Sequence, residues 1–488
     1  MSEEALVNTG VDGWPGEGRA YLTVRRMQTK LHDWAVKDHG RRFDDLWNLV
    51  CDPAFLTMAW ERVAGNKGSK TPGVDRATVA RIRSGSGVEM FLRDLRVTLK
   101  AREFRPVPVR EVMIPKASGK LRKLGIPTVA DRVVQASLKL VLEPIFEADF
   151  QSCSYGFRPK RRAQDAVAEI HHFTSKSYEW VLEADIEACF DNIEHAPLMD
   201  RLRLRIGDKR VLALTKAFLK AGVLTTVGTR EGTITGTPQG GILSPLLANI
   251  ALSVLDDHFM GTWQQTMNTV QQRQKRRRHG AANYRLIRYA DDFVVVVTGQ
   301  REHAEQLRDE VTQVLAPMGL RLSPEKTQVV HIDEGFDFLG FNIRRMRKRG
   351  SHKHFIYTQP SKKAIASIKD RVRTMTYRHT LHRDPGYLME YLGRVLRGWA
   401  TYFRHGVSKR IFNAIDSYAW ERITSWLRKK HRKIGWPELR RRYCLPGTWR
   451  LAHNGKRFTG AASVTVTRYR YRGYNIPTPW HQTAATTS

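Results

Sequence analysis

The sequence is poor in cysteine and in acidic residues, and it has no long hydrophobic run. Its four cysteines lie tens of residues or more apart, so they form neither a paired C-x-x-C zinc site nor a dense disulfide framework. The longest aliphatic run, at 293–297, is far too short to cross a bilayer, and residues 1–10 contain no apolar core of a signal peptide. We therefore expect a protein with no membrane partner that works in a reducing compartment, the cytoplasm.

Two common phosphate and metal motifs are also missing from the sequence. Gly119-Lys120 is followed by Leu121 instead of Ser or Thr, and it lacks the upstream glycine of a P-loop. His171, His172 and the other histidines have no partners at metal-ligand spacing. The sequence therefore gives no support to a helicase, a kinase or a histidine-based metal site.

Positive charge, in contrast, is in large excess. The 488 residues include 82 Lys and Arg against 48 Asp and Glu, which gives a net charge of +34. The basic residues concentrate in four runs, at 158–162, 273–278, 344–349 and 428–433. A long polyanion contacted at many points explains several separate runs best, and such binding weakens steeply with salt. Heparin-like binding without specificity is the alternative.

Hydrophobic periodicity divides the chain into segments. Helical spacing dominates 31–50 and 55–63, and the loop at 66–74, rich in Gly, Ser, Thr and Pro, interrupts it. Short apolar strands and helices then alternate, which is typical of an α+β fold, and helical spacing returns at 387–403 and 412–427. We predict four parts: a helical N-terminal extension at 1–65, a mixed core at 66–345, a helical domain at 346–435 and a short-stranded basic region at 436–488.

Within the mixed core the pattern predicts strands at 109–114, 180–185 and 328–332, helices at 130–142 and 302–315, and a hairpin around 289–292. The helical domain carries aromatic and aliphatic residues at helical spacing, which we interpret as its own packed face rather than a platform for stacking bases. Arginines on the complementary faces are better candidates for phosphate contacts, namely Arg394, Arg397, Arg404 and Arg410.

Acidic residues fall at the ends of two predicted strands. In YRLIRYADDFVVVV, two apolar strands flank a turn that carries Asp291 and Asp292, and the strand in WVLEADIEACFD runs into Asp185. Carboxylates about 4 Å apart repel by about 4 kcal/mol at an effective dielectric near 20, so converging acids favour a divalent cation between them. Because the ligands are oxygens only, the pattern indicates Mg²⁺ rather than zinc.

A plain structural explanation of the acidic pair stays open from the residues alone. Two adjacent aspartates are common in turns, where their side chains bond to the backbone. Asp256-Asp257 and Asp44-Asp45 are interpreted in that way. The flanking apolar strands favour the metal site for Asp291 and Asp292.

The segment at 289–292 reads Tyr-Ala-Asp-Asp, which resembles the Y-x-D-D signature of reverse transcriptases. Further blocks resemble, in order, those of the group II intron-encoded reverse transcriptase/maturase family, at 66–75, 114–116, 119–128, 155–159, 185–193, 237–245, 322–327, 338–341 and 396–403. Each block is weak alone, but the ordered set is specific and runs through nearly the whole chain. The sequence departs from the family pattern at Arg76, where Gly is usual, and at Lys123, where Pro is usual.

The resemblance implies a right-hand polymerase fold. Fingers and palm would occupy 66–345, a thumb or maturase (X) domain 346–435, and a DNA-binding-like region 436–488. Many relatives end in a zinc-supported H-N-H endonuclease, but the residues after Trp436 lack the Cys pairs and clustered His that it needs, so none is expected.

The function implied is that of an RNA-directed DNA polymerase that is also a maturase. It would bind group II intron RNA to promote splicing and would copy that RNA into DNA for retromobility. The implied partners are the intron RNA, an RNA template with a DNA primer, target DNA and deoxynucleoside triphosphates, in a bacterial cytoplasm with association with the nucleoid. The alternatives are a splicing maturase without significant polymerase activity and a free-standing defence-type or diversity-generating reverse transcriptase.

The same resemblance assigns roles to individual residues. Asp185, Asp291 and Asp292 would be catalytic, and two Mg²⁺ ions would be held by Asp185, Ile186 and Asp291. Nucleotide binding would fall to Lys116, Arg122 and Lys326, with Gln239 and Gly240 allowing close approach of the backbone, and with Phe190 excluding a ribose 2′-hydroxyl. RNA binding is expected at Arg273, Lys275, Arg276, Arg277, Arg278, Arg394, Arg397 and Arg404.

Overall fold

A computed structural model describes residues 13–115, 119, 121–225, 228–432 and 434–480. Lys116, one of the expected nucleotide-binding residues, lies outside the described residues. The helices are α1 (Glu17–Lys37), α2 (Trp47–Val50), α3 (Pro53–Gly65), α4 (Val79–Ser84), α5 (Val88–Lys100), α6 (Val129–Glu147), α7 (Ala163–Thr174), α8 (Cys189–Asn192), α9 (His195–Arg203), α10 (Lys209–Leu219), α11 (Ser244–Thr266), α12 (Val270–Arg278), α13 (Arg301–Leu315), α14 (Lys362–Met375), α15 (Pro385–Phe403), α16 (Lys409–Lys430) and α17 (Trp436–Tyr443).

The strands form small antiparallel sheets and one mixed sheet. They are β1 (Val109–Pro115), β2 (Leu121–Ile126), β3 (Trp180–Asp185), β4 (Val223–Leu224), β5 (Arg230–Glu231), β6 (Tyr284–Tyr289), β7 (Asp292–Val297), β8 (Gln328–His331), β9 (Phe336–Phe338), β10 (Phe341–Arg347), β11 (His354–Pro360), β12 (Ala452–His453) and β13 (Lys456–Arg457). The sheet orders are β2-β1-β4-β5, β6-β7-β3-β8, β11-β10-β9 and β12-β13. The mixture of helices and sheets confirms the α+β fold class.

The N-terminal helices α1 and α3 pack on the long helix α6. Helix α3 begins sharply because the Asp52 side chain accepts hydrogen bonds from the first free backbone amides and Pro53 occupies the first turn. The helical spacing predicted at 31–50 is confirmed at its two ends, in α1 and α2, and is wrong for residues 38–46. Helix α1 ends at Lys37, and the following segment instead pairs Phe43 with Ile206 of the mixed core, so a tertiary contact interrupts the helix.

The sheet β6-β7-β3-β8 forms the centre of the molecule. After its first residue, Asp292, strand β7 is apolar because both faces are covered, and successive side chains alternate between two cores. Val295 and Val297 join the core that contains α11 and α13, whereas Val294 and Val296 join the core that contains α7 and the helical domain. This sheet therefore connects the two halves of the chain.

The helical domain follows the three-stranded sheet β9-β10-β11. Leu388, Leu392 and Leu396 on α15 are fully buried and share a core with Phe412 and Ile415 on α16. The interpretation of this periodic stripe as a packed face is confirmed.

The last described residues return to the start of the chain. After α17 and the β12-β13 hairpin, the chain runs back along α7, where the Tyr469 hydroxyl donates to Asp165, and reaches α1, where the Trp480 indole donates to Gln28. The segment therefore contacts the mixed core and the N-terminal helix. In the part of the chain that the structure describes, no helix has the length and apolar composition to span a bilayer.

Candidate active site

Three aspartates lie at one end of the central sheet. Asp185 is the last residue of β3 and Asp292 is the first residue of β7, and the antiparallel register sets the two directly opposite each other. Asp291 lies between β6 and β7, in the turn that we call the YADD turn (residues 289–292). Strand register thus brings together side chains that are about a hundred residues apart in sequence.

A buried arginine supports the YADD turn from behind. Arg288 is fully shielded from solvent, and its Nη1 donates a hydrogen bond of 2.8 Å to the carbonyl oxygen of Ala290. Ala290 has a φ of 59°, in the left-handed region that non-glycine residues seldom adopt. The charge of Arg288 is neutralised by Asp256 on α11, whose Oδ1 lies 2.7 Å from its Nε. The strained turn is therefore held by a buried ion pair.

A glycine allows the turn to pack closely. A Cβ added to Gly156 would lie 2.3 Å from the backbone nitrogen of Ala290 and 2.8 Å from the carbonyl carbon of Tyr289, closer than atoms can approach. The carbonyl of Gly156 accepts a hydrogen bond from Asn249, whose oxygen in turn accepts from Arg288. Gly156 and Arg288, which are connected through Asn249, therefore hold the YADD turn in place together.

Lys326 directly contacts Asp185 at the end of β3. Its Nζ lies 2.7 Å from Oδ2 of Asp185, and this hydrogen bond raises the pKa of the Lys326 ammonium group. The loop that carries Lys326 is tied to the same strand, because the backbone amide of Ser323 donates to the carbonyl of Asp185 at 2.8 Å. Lys326 is thus positioned beside the aspartates, where a cation can also meet a phosphate.

The carboxyl groups of the YADD turn are easier to protonate than free aspartates. Partial burial raises the pKa of Asp292 to about 6, and the negative charges of Asp291 and Asp185 add to the shift. Burial also raises the pKa of Asp291, again with a contribution from Asp185. Clustered like charges produce such shifts, and a nearby cation would reverse them.

The donor set fits a hard divalent cation. The three carboxylates supply oxygen only, which Mg²⁺ prefers, whereas Ile186 has a buried side chain and could contribute only its main-chain carbonyl. Over the described residues, no three His, Cys, Asp or Glu side chains converge closely enough to form a complete metal site by themselves. The carboxylates lie near one another, and Asp185 is paired with Lys326.

An open cleft of about 460 Å³ lies beside the YADD turn. Six of the residues assigned from the sequence line it, namely Arg122, Phe190, Gln239, Gly240, Asp291 and Asp292. These residues come from four separate stretches of the chain, so the cleft exists only in the folded protein. Its size and position suit one nucleotide unit next to the aspartates.

A chain of hydrogen bonds joins two lining residues of this cleft, Arg122 and Gln239, to Asp191. The Arg122 Nε donates to Oε1 of Gln239 at 2.7 Å, and the Gln239 amide donates to Asp191 at 2.9 Å. Gly240 has a φ of +117°, and a Cβ there would lie 2.6 Å from the carbonyl oxygen of Gly125. Only glycine is compatible with this close approach of the two loops.

Phe190 lies on the wall of the cleft and is partly buried. Its ring makes an edge-to-face contact with Phe157, with centroids 6.4 Å apart. The contact fixes one side of the Phe190 ring and leaves another side toward the cleft.

The basic run on α12 divides into two groups. Arg273 and Arg276 are partly buried and donate to main-chain carbonyls of Met267 and Ala282. The remaining three, Lys275, Arg277 and Arg278, are exposed.

The arginines of α15 also differ, because Arg394 is exposed while Arg397 donates to the carbonyl of Thr459. Arg404 is partly buried.

Sequence reasoning missed the residues behind the turn. Asp256 was interpreted as turn chemistry, which is wrong: it lies in α11 and is fully buried. A charged residue within an otherwise apolar helical stretch was the available signal, since a buried charge requires a partner. Arg76 adopts a φ of 57°, a conformation that glycine reaches more easily, which explains why Gly is usual at this position. Nothing in the structure explains the arginine of this chain.

Two family models match the chain. Residues 114–343 match the family described as reverse transcriptase (RNA-dependent DNA polymerase), and residues 365–444 match the group II intron, maturase-specific domain. The first match contains the cleft and all three aspartates, and the second covers most of the helical domain.

Individual proteins are similar over longer stretches. Protein YkfC of Escherichia coli is 36% identical over 70% of this chain and 94% of its own length. The group II intron-encoded protein LtrA of Lactococcus lactis is 31% identical over 64% of this chain, and a 91 kDa protein in the cob intron of Schizosaccharomyces pombe is 30% identical over 83%. The chain spans 58% and 54% of the lengths of these last two relatives.

Proposed function

The chain belongs to the group II intron-encoded reverse transcriptase/maturase family, in which an RNA-directed DNA polymerase is followed by a maturase domain, and we propose that it both copies intron RNA into DNA and assists the splicing of that RNA. The polymerase part of this proposal is carried by one observation: Asp185, Asp291 and Asp292 lie at the same end of the central sheet, beside the nucleotide-sized cleft.

We assign Mg²⁺ binding to Asp185 and Asp291, with the Ile186 carbonyl as a further oxygen ligand and Asp292 in support. Bound Mg²⁺ would supply activation of the primer 3′-hydroxyl and neutralisation of charge on the leaving pyrophosphate. The hydrogen bonds of Arg288 and the close packing of Gly156 keep the YADD turn in place while substrates enter and leave.

The cleft residues position the incoming nucleotide. Arg122 lines the cleft and Lys326 lies beside Asp185, and both cations suit the triphosphate. Lys326 can exchange its contact with Asp185 for a phosphate oxygen. Gln239 is held by Arg122 and Asp191, so its backbone and that of Gly240 present a fixed surface to the nucleotide and template. The Phe190 ring occupies the space that a ribose 2′-hydroxyl would need, which favours deoxynucleotides.

Intron RNA would contact surfaces outside the cleft. The exposed residues Lys275, Arg277 and Arg278 and the exposed Arg394 are the best placed for phosphates. Arg273, Arg276 and Arg397 already donate to main-chain carbonyls, so their role in RNA binding is secondary.

Primer extension and splicing tested side by side separate the two activities. A DNA primer annealed to a structured RNA should be extended by the wild type in the presence of Mg²⁺ and not by Asp291→Ala, whereas intron splicing should be supported by both proteins. Full extension by Asp291→Ala would overturn the catalytic assignment. Splicing without extension by the wild type would leave a maturase that is not a polymerase.

A further inference from the structure

Three tryptophans form an exposed cluster at the end of the helical domain. Trp420 on α16 stacks on Trp436 at the start of α17, with ring centroids 6.1 Å apart and planes within 2°. Trp449 meets both rings edge-on, at 6.2 and 6.0 Å. We call these three residues the tryptophan cluster. Trp420 also packs against the core of the helical domain and so anchors the cluster to it.

Two members of the cluster remain open to solvent. Trp436 is 42% exposed and Trp449 is 44% exposed, although large aromatic rings are normally well covered. The cluster is also held in place: the Trp420 indole donates to the carbonyl of Trp449 at 3.0 Å, and the amide of Leu445 donates to the carbonyl of Arg450 across the loop that carries Trp449. The exposed rings are therefore fixed in position.

Arginines accompany both exposed rings. The Arg428 guanidinium lies 5.1 Å from the centre of the Trp436 ring, and the Arg440 guanidinium lies 5.3 Å from that of Trp449. Within the described residues, each donates to a main-chain carbonyl only through Nε, at 3.3 Å, to Ile434 and Thr448 respectively, so a phosphate would bind at their Nη groups. Arg273, Arg276 and Arg397 differ because their Nη groups make the main-chain bonds. Arg450 is exposed next to Trp449 and lines a cleft of about 480 Å³ with Trp420 and Trp449. Aromatic faces next to cations match the alternation of bases and phosphates in a nucleic acid strand.

The acidic residues near the cluster do not cancel this pattern. Asp416 accepts hydrogen bonds from the backbone amides of Ala461 and Ala462, and Glu438 is paired with Arg441 and Arg442. Glu421 is exposed in the cleft, where it can accept hydrogen bonds from the amino groups of bases.

From this arrangement we propose that the tryptophan cluster binds single-stranded nucleic acid, with bases stacked on Trp436 and Trp449 and the neighbouring phosphates held by Arg428, Arg440 and Arg450. A strand is the favoured occupant because its bases are unstacked and available, whereas a duplex buries them. The site is remote in sequence from the aspartates and does not depend on polymerase chemistry. It rests on the proposed function and deepens it by adding a second contact for the RNA or for an unpaired DNA strand.

Binding of short labelled oligonucleotides to the full chain tests this proposal. Trp436→Ala and Trp449→Ala should each weaken binding of a twelve-nucleotide strand by about five- to a hundredfold, the range for loss of one stacked base. Trp436→Phe and Trp449→Phe should retain most of the affinity, because a smaller ring still stacks. Parallel measurements with RNA and DNA strands of the same sequence identify which of the two the cluster prefers.

The chain offers a matched control for exposure and charge. Trp34 on α1 is 37% exposed and has the Arg41 guanidinium 4.8 Å from its ring, so Trp34→Ala removes a similar exposed pair elsewhere. This variant should bind the strand as the wild type does. Affinities within twofold of wild type for both Trp436→Ala and Trp449→Ala would overturn the proposal, as would an equal loss in Trp34→Ala. The cluster variants should extend a short pre-annealed primer as the wild type does. Failure of the wild type to extend this primer would contradict the proposed polymerase activity and would not bear on strand binding by the tryptophan cluster.

Discussion

Arg288 and Asp256 form an ion pair fully shielded from solvent, directly behind the turn that carries Asp291 and Asp292. Arg288 also donates hydrogen bonds to the Ala290 carbonyl and to Asn249, so the pair connects α11 with the YADD turn. Burial of two charges is costly unless both are well bonded, and here they are. The pair therefore serves to fix the position of Asp291 and Asp292 more than to stabilise the fold.

Loss of one member of this pair should destabilise the protein strongly. Asp256→Asn leaves the Arg288 charge buried without a counter-ion, which costs roughly 3–5 kcal/mol of the free energy of unfolding. Urea titration followed by fluorescence measures the change. The matched control is Asp257→Asn, because the Asp257 side chain is 41% exposed and contacts Arg201 near the surface. A change below about 1 kcal/mol is expected for the control, and equal effects of the two substitutions would contradict this account.

A methyl group at Gly156 should displace the YADD turn. Gly156→Ala places a Cβ 2.3 Å from the Ala290 nitrogen, so one of the two backbones has to move. Misplacement of reacting groups by about 1 Å reduces rates by about a hundredfold, and we expect a loss of that order in primer extension. Gly261→Ala on α11 is the control, since a Cβ there meets nothing within 4 Å. Normal primer extension by Gly156→Ala would show that close packing of Gly156 against the YADD turn is not needed for activity.

The two groups of basic residues on α12 should differ in their effect on RNA binding. Replacing Lys275, Arg277 and Arg278 together by Gln should weaken binding and reduce the slope of log affinity against log salt by about one for each phosphate that is no longer neutralised. Replacing Arg273 and Arg276 by Gln should lower the free energy of unfolding and leave the salt slope unchanged, because these two contact main-chain carbonyls. Identical salt slopes for the wild type and the triple variant would show that these exposed residues do not contact RNA phosphates.

Asp131 should make the stability of the fold depend on pH. Burial raises the pKa of this carboxyl from 3.8 to about 6, although the Thr128 hydroxyl donates to it. Between these two values the folded state holds a proton that the unfolded state releases, so the contribution of Asp131 to stability falls as pH rises from about 4 to about 6. Asp131→Asn removes this loss, so its free energy of unfolding relative to that of the wild type should increase by about 1–3 kcal/mol as the pH rises from about 4 to about 7. If the free energies of unfolding of the two proteins change in parallel with pH, the raised pKa of Asp131 is contradicted.

The strand that ends in Asp185 shows what the sequence was able to predict. Its bounds, 180–185, match the strand in the structure because a short apolar run with a charged end leaves little choice of register. The turn at 289–292 and the helix at 302–315 were predicted for similar local reasons, and both are confirmed.

Tertiary contacts explain what the sequence could not predict. Asp256 lies in a helix whose pairing with Arg288 becomes visible only when β6 and α11 are packed together. The tryptophan cluster draws Trp420, Trp436 and Trp449 from two helices and a loop, so no periodicity links them. Lys326 was assigned to the triphosphate from its motif, but its contact with Asp185 depends on the pairing of β3 with the loop before β8.

Single-turnover incorporation of one deoxynucleotide, measured as a function of Mg²⁺ concentration, tests the central claim most directly. If Asp185 and Asp291 hold the metal beside the primer end, Asp185→Asn and Asp291→Asn should react at least about a thousandfold more slowly than wild type at every Mg²⁺ concentration. Asp309→Asn, an exposed aspartate on α13, should react as the wild type does. A rate for Asp291→Asn within about tenfold of wild type at saturating Mg²⁺ would contradict the account.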